Sequence, residues 1–252
     1  LISNKILKVH YNEGAIDEFH HSFSYDEDQR IKKSETSWGP GSNISKSSRQ
    51  HIGWDKDGAY NYYKHGPLQR TEIGEDKIQG LDNLYTIQGF LKGINYVTTS
   101  ALDDPGTDGG INGFSKDVFG MVLGYYNNDF YRNASLYRPS NSNLVSSNTA
   151  GLTNLFNGNI SSWTLKKDSI NLSYNNDLKG FKYRYDQLNR IKKEDYWKNT
   201  GSWSDTIAYD SRYTYDANGN IDTLKRNAYG NNYKMDDFKY HYISGTNKLE
   251  YI

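Results

Sequence analysis

A seven-residue pattern occurs three times in this chain of 252 residues, and it constrains the fold more than any other feature. Each copy begins with Tyr-Asp, has Gly, Asn or Gln at its fifth position and ends in Ile. An aromatic residue also precedes each Tyr by two positions. The copies occupy residues 25–31, 185–191 and 215–221. Three copies with one spacing predict a repeat architecture and not a single Tyr-rich turn.

The pattern predicts a β-hairpin. Aromatic residues two positions apart lie on one face of a strand, and the Asp that follows can accept backbone N–H bonds in an Asx-turn. The fifth position suits a positive φ in a type I turn with a G1 bulge, which favours Gly219 and is tolerated by Asn189. The closing Ile is expected on the buried face of the partner strand. The strand tyrosines are Tyr25, Tyr185 and Tyr215. The turn aspartates are Asp26, Asp186 and Asp216, and the closing isoleucines are Ile31, Ile191 and Ile221.

Degenerate copies extend the pattern along the chain. They lie at residues 54–60, 62–68 and 242–249, the last with one inserted residue, and further hairpin turns are predicted at 88–89 and 157–158. Residues 81–95 contain two glycines and are better described as a hairpin than as a helix. Residues 118–126 are predicted to form one strand that is buried on both faces or nearly so, with irregular flanks.

These observations predict an all-β fold of repeated antiparallel hairpins that form part of a curved, spiralling β-sheet. The predicted organisation is repeat hairpins over residues 1–98, the strand at 118–126 with long irregular loops over 99–150, and repeat hairpins again over 151–252. All three segments are expected to belong to one continuous piece of a larger protein, because the chain begins without an initiator Met or a signal segment.

Composition supports a thin, largely solvated sheet. Tyr contributes 23 residues, and its ring packs on a pleated surface while its hydroxyl stays hydrated. The 30 basic and 30 acidic residues balance, so a nucleic-acid interface is not expected. The chain has no Cys, which excludes disulfides and thiolate zinc sites, and no apolar run of membrane-spanning length. No cofactor and no catalytic residue is predicted.

The hairpins resemble the YD repeats of RHS proteins, which are bacterial relatives of teneurins. The resemblance extends to the Bacteroidota branch of that family through residues 62–74, 85–95, 117–126, 155–160 and 183–191. It implies a structural segment of a hollow β-sheet shell. The expected partners are the rest of that shell, an enclosed C-terminal toxin or effector domain of the polymorphic-toxin type, and export machinery such as a type IX system. It also implies a secreted or cell-surface location.

The sequence leaves three alternative functions open. Asp103, Asp104 and Asp108 on a Gly-rich loop could offer oxygen ligands to Ca²⁺, although their spacing matches no EF-hand. Exposed tryptophans could make the chain a surface adhesin or glycan-binding module, and a carboxylate pair without local spacing could make it a β-rich glycoside hydrolase. The five tryptophans are Trp38, Trp54, Trp163, Trp197 and Trp203.

Overall fold

The computed structural model describes residues 5–10, 18–38, 54–97, 104–110, 112–130, 144–145, 153–167, 178–230 and 234–252. The regular secondary structure in these ranges consists of sixteen β-strands, so the all-β prediction is confirmed. The described residues include no helix long and apolar enough to cross a bilayer. The strands are β1 (Lys5–His10), β2 (Glu18–Tyr25), β3 (Ile31–Trp38), β4 (Asp55–Tyr62), β5 (Leu68–Ile73), β6 (Gln79–Tyr85), β7 (Leu91–Ile94), β8 (Phe119–Gly124), β9 (Ser162–Lys167), β10 (Leu178–Tyr185), β11 (Ile191–Asn199), β12 (Trp203–Tyr215), β13 (Ile221–Asn227), β14 (Lys234–Lys239), β15 (His241–Tyr242) and β16 (Leu249–Tyr251).

The chain forms two compact units. The first comprises Leu1–Leu84 with Asp104–Asp117, and the second comprises Tyr85–Asp103 with Val118–Ile252. In the first unit, β1 to β6 pair in chain order, each antiparallel to the next. In the second unit, β7 to β14 do the same, and β15 pairs with β16. Antiparallel strands that are neighbours in sequence can be joined by short turns, and the three repeat turns join β2 to β3, β10 to β11 and β12 to β13.

Aromatic rings bridge successive strands of the second unit. Trp163 stacks on Phe181 with ring centroids 5.3 Å apart, and Phe181 lies 5.3 Å from Tyr196. The row continues from Tyr196 to Tyr209 at 5.2 Å and on to Tyr229 at 6.1 Å. Cross-strand aromatic pairs of this kind stabilise a sheet through one face without a thick apolar core. This explains how a chain of low mean hydropathy, −0.90, can fold.

The strand predicted at 118–126 is present as β8, but it is not buried on both faces. Its residues alternate between half-buried and buried, and Val118 just before it is 54% exposed. The buried face contains Gly120, where a Cβ would overlap the carbonyl oxygen of Tyr96. The apolar run therefore reflects a close backbone approach on one face, and the other face is partly solvated.

The repeat turns adopt the expected backbone. Gln29, Asn189 and Gly219 at the fifth position have φ of 62°, 63° and 90°. Strand pairing shifts register next to each repeat Tyr, as a G1-type bulge requires. The predicted turns at 88–89 and 157–158 also place glycines at positive φ, and residues 81–95 form strands β6 and β7 around the first of these turns.

The closing isoleucines differ from the prediction. Ile31 and Ile191 are 38% and 36% exposed, and Ile221 is half-buried, so the seventh position does not return to a buried face. The reason is that this residue lies beside the turn at the rim of the sheet. Its backbone carbonyl accepts a hydrogen bond from a tyrosine of the neighbouring hairpin.

A substitution at Gly219 tests backbone strain without a steric clash. A Cβ there would meet only Arg190 Nη1, at an ordinary contact distance of 3.8 Å. We expect Gly219→Val to lower the free energy of unfolding by about 1–2 kcal/mol through its positive φ, and Gly219→Asn by about half of that or less. Urea denaturation of both variants measures this. Equal stability of the two variants would contradict the assignment, since Asn189 already occupies the same conformation.

Candidate functional site

The repeat aspartates close their own turns. Asp186 Oδ1 accepts the backbone N–H groups of Leu188 at 2.9 Å and Arg190 at 3.0 Å. The backbone adds two bonds, from Asp186 N to the carbonyl of Arg190 and from Asn189 N to the carbonyl of Asp186. The turns at Asp26 and Asp216 repeat this pattern. The expected Asx-turn is therefore present in all three copies.

The sixth position of the repeat connects one hairpin to the next. Arg190 Nε donates to Asp186 Oδ2 at 2.6 Å within its own turn. Its Nη1 then donates to the carbonyl of Asp216 in the following turn at 3.3 Å, and its guanidinium lies 4.5 Å above the ring of Tyr215. One side chain thus contacts both the aspartate of its own repeat and the first two residues of the next.

Arg30 makes similar contacts in the first unit, but its carbonyl partner is at the fifth position of the next copy and not at the second. It pairs with Asp26 at 2.7 Å, donates to the carbonyl of Gly66 at 3.3 Å and lies 4.4 Å above the ring of Tyr62. In the third copy Asn220 replaces Arg, and its Nδ2 bonds Asp216 at 2.9 Å and Asn247 at 3.0 Å. The sequence pattern leaves the sixth position variable. The available signal was that Arg30, Arg190 and Asn220 are all hydrogen-bond donors.

The repeat tyrosines Tyr185 and Tyr215 also contact the preceding hairpin. The hydroxyl of Tyr215 donates to the backbone carbonyl of Ile191 at 2.7 Å, which is the closing residue of the repeat before it. We call this bond the tyrosine staple. Four further staples of 2.7–2.8 Å join Tyr62 to Ile31, Tyr125 to Leu91, Tyr185 to Ile160 and Tyr242 to Ile221. Staples therefore occur at the clear copies that begin with Tyr185 and Tyr215, at the degenerate copies that begin with Tyr62 and Tyr242, and at Tyr125 outside the repeat pattern.

The electrostatics keep these groups in the required charge states. Backbone bonding from Arg190 lowers the pKa of Asp186, and the side-chain bond from Asn220 lowers the pKa of Asp216, below their ordinary value. Burial raises the pKa of Tyr185 and Tyr215 above its usual 10. At neutral pH the aspartates are therefore ionised acceptors and the tyrosines protonated donors.

A second cluster lies in the first unit around Arg70. The guanidinium pairs with Asp82, and its Nη2 bonds Asp108 at 2.7 Å. Asp104 and Asp108 are joined through a 2.8 Å bond from the Asp108 backbone N–H to Asp104 Oδ2. The side chains of Asp82, Asp104 and Asp108 are buried and offer oxygens within 4.8 Å of one another. Asp103, which was considered with them, lies outside the described residues.

The charge of this cluster is unbalanced. Burial raises the pKa of Asp82 to about 7, with Asp104 and Asp108 adding to the effect and Arg70 opposing it. Burial also raises the pKa of Asp117 to about 9, assisted by its contact with Asp104. By contrast, the buried Lys92 and Asp129 of the second unit pair one to one, at 2.7 Å. The sequence suggested part of the first cluster, but Asp82 and Asp117 were missed because they are distant in sequence.

The tryptophans of the second unit pack on neighbouring side chains. Trp163 stacks on Phe181, and Lys182 Nζ lies 4.3 Å from the ring centre of Trp197. These two tryptophans, together with Trp54 and Trp203, are half-buried, and the side chain of Trp38 lies outside the described residues. Trp163 and Trp197 therefore pack against side chains of a neighbouring strand.

Comparison with known proteins gives little further information. No protein-family model matches the chain, and no curated protein matches it. The fold is similar to a chain in the crystal structure of TcdB2-TccC3-TEV, with a TM-score of 0.31 and 11% sequence identity. The match covers 94% of this chain and spans 13% of the length of that chain.

The tyrosine staple is tested by removing one hydroxyl. We expect Tyr215→Phe to lower the free energy of unfolding by about 0.5–1 kcal/mol, because the Ile191 carbonyl is left with water as its partner. Tyr209→Phe is the matched control, since Tyr209 packs through its ring and is 41% exposed. Urea denaturation of both variants measures the difference. Equal effects of the two changes would show that the staple contributes nothing.

The Asx-turns make stability depend on pH. Because the folded state lowers the pKa of Asp186, its ionised form stabilises the fold above about pH 4, and this contribution is lost as the pH falls through the lowered pKa. We expect Asp186→Asn, which keeps an acceptor but does not titrate, to flatten the fall of the urea midpoint between about pH 4 and pH 2. Asp76→Asn changes an exposed carboxylate outside the repeat turns and serves as the control. A curve for Asp186→Asn as steep as that of the unmodified chain would contradict the assignment.

Proposed function

We propose that this chain is a non-catalytic wall segment of an RHS-type β-sheet shell. The observation that carries the proposal is the recurrent connection between successive hairpins, made by the tyrosine staple and the sixth-position side chain. These contacts use the ends of hairpins and backbone carbonyls. They fix each hairpin against its neighbour without requiring a large apolar core, which is the mechanical requirement of a thin wall.

The chemistry of the repeat supports a structural role over a catalytic one. A general acid or base needs a free lone pair or proton that faces a substrate. Asp26, Asp186 and Asp216 are each occupied by backbone N–H groups and by the sixth-position side chain of their own turn. Their low pKa values also make them poor proton donors at neutral pH.

The properties of the whole protein follow from the RHS resemblance alone. They are encapsulation or display of a C-terminal toxin or effector domain, contact with the remainder of the shell, passage through an export system such as type IX, and a secreted or cell-surface location. A wall of this kind separates a cargo from the solvent by continuity of the sheet. The staples maintain that continuity because each one spans two hairpins.

Surface adhesion through a glycan is the second candidate. It is favoured by two exposed aromatic side chains of the second unit, Phe156 and Tyr229, which are 74% and 73% exposed. The ring centroids of Phe156 and Tyr126 lie 4.6 Å apart, so Phe156 and Tyr126 together form a small aromatic surface. Sugar rings stack on surfaces of this type. The half-buried tryptophans contribute less to this function, because their faces are partly covered.

Limited proteolysis of the full-length protein tests the shell. We expect its C-terminal domain to survive a protease dose that degrades the same domain expressed alone, since the wall excludes the protease. Equal rates of digestion would overturn encapsulation. Screening the chain against a glycan array tests the alternative, and saturable binding that is lost in Phe156→Ala would favour the adhesin and count against a purely structural wall.

A further inference from the structure

The Arg70 cluster contains more negative charge than its cation neutralises. Asp82, Asp104 and Asp108 are 5%, 4% and 2% exposed, and Asp117 lies against Asp104. Arg70 is bound by two of these carboxylates, Asp82 and Asp108. Its guanidinium lies 4.5 Å from the ring centre of Phe114, which fixes it in place. One guanidinium therefore faces three buried carboxylates, with the half-buried Asp117 beside them. Unpaired charge in such a setting is costly.

Asp104 gives a second and independent sign of a missing ligand. Its Oδ2 accepts the backbone N–H of Asp108, but its Oδ1 is buried and has no hydrogen-bond partner. The same is true of Oδ1 of Asp117. The Asp104 carboxylate points into the cluster, because it offers an oxygen within 4.8 Å of oxygens from Asp82 and Asp108. A buried carboxylate oxygen without a donor calls for an explanation, and a bound cation is one that also accounts for the neighbouring carboxylates.

Two glycines, Gly80 and Gly106, allow residues of the 104–117 loop to lie close to the sheet. A Cβ at Gly106 would overlap the Arg70 guanidinium and the carboxylate of Asp82, and a Cβ at Gly80 would overlap Arg70 and Asp108. Asn112 Nδ2 holds Asp108 in position at 2.7 Å. The carboxylates of the loop and of strand β6 therefore meet through specific close contacts, and not through chance proximity of exposed acids.

We propose that Asp82, Asp104 and Asp108 bind a Ca²⁺ ion, with Asp117 beside them, and that the ion fastens the loop at 104–117 to strands β5 and β6. Carboxylate oxygens are the ligands that this hard cation prefers. Two ligands at about 2.3–2.6 Å from Ca²⁺ can be up to about 4.6–5.2 Å apart on opposite sides of the ion. The three carboxylate oxygens lie within 4.8 Å of one another, so their separations fit such an ion. The proposal is independent of the shell function.

Isothermal titration calorimetry of the whole chain with CaCl₂ tests the site, with MgCl₂ and a KCl solution of equal ionic strength as comparisons. We expect one ion per chain with a dissociation constant on the order of 10⁻⁴–10⁻³ M, as in extracellular calcium modules, weaker binding of Mg²⁺, and a Tm that rises with CaCl₂ but not with KCl. The absence of saturable heat with CaCl₂ overturns the proposal, whatever the behaviour of any variant.

Two variants locate the ion. Asp104→Asn keeps an acceptor for the Asp108 N–H and gains an amide that can donate to Asp117, so it is expected to fold and to bind Ca²⁺ at least about tenfold more weakly. Asp76→Asn removes an exposed carboxylate of the same unit and is expected to bind as the unmodified chain does. Equal calcium binding by all three proteins would place the ion elsewhere and refute the site. If Asp104→Asn is more stable and calcium raises the Tm of none of them, a proton shared by Asp104 and Asp117 explains the cluster, and the proposal fails.

Discussion

The hydrogen bond from a tyrosine hydroxyl to a backbone carbonyl of the preceding hairpin is the interaction on which the repeat depends. A single hairpin is marginal in water, and strand pairing alone does not fix how the turns of successive hairpins sit. The staple fixes them because a rigid ring spans the gap between neighbouring turns. Five staples with nearly equal lengths, from Tyr62 to Tyr242, show that one solution is used along both units.

The staple also explains where the sheet exposes apolar groups. Ile31 and Ile191 are partly exposed, and their carbonyls accept the staple bonds. Stability comes instead from aromatic rings that pair across strands and from polar side chains that satisfy each turn. A sheet built this way can tolerate solvent on much of its surface, and this agrees with a composition rich in Tyr and poor in aliphatic residues.

The hairpins could be predicted because their determinants are local. Each seven-residue turn contains the carboxylate that accepts its backbone N–H bonds, the residue with positive φ and the ends of both strands. Asp186 and Asn189 therefore identify the turn from the sequence alone. The sixth position and the staple were missed because they join residues 21 to 36 positions apart, such as Tyr242 with Ile221 or Arg30 with Gly66. The burial of strand β8 was overestimated because an apolar run does not show which face Gly120 opens to a neighbouring backbone.

Aspartate has two different physical roles in this chain, and its environment determines which one applies. At Asp216 the carboxylate is solvated and bonded on both oxygens by its own turn, so ionisation is favoured and the residue is structurally complete. At Asp104 one oxygen is satisfied and the other is buried among further carboxylates. Asp129 is also buried, but Lys92 neutralises it. Turn aspartates and paired aspartates need nothing further, whereas the charge near Asp104 is incomplete without a proton or a cation.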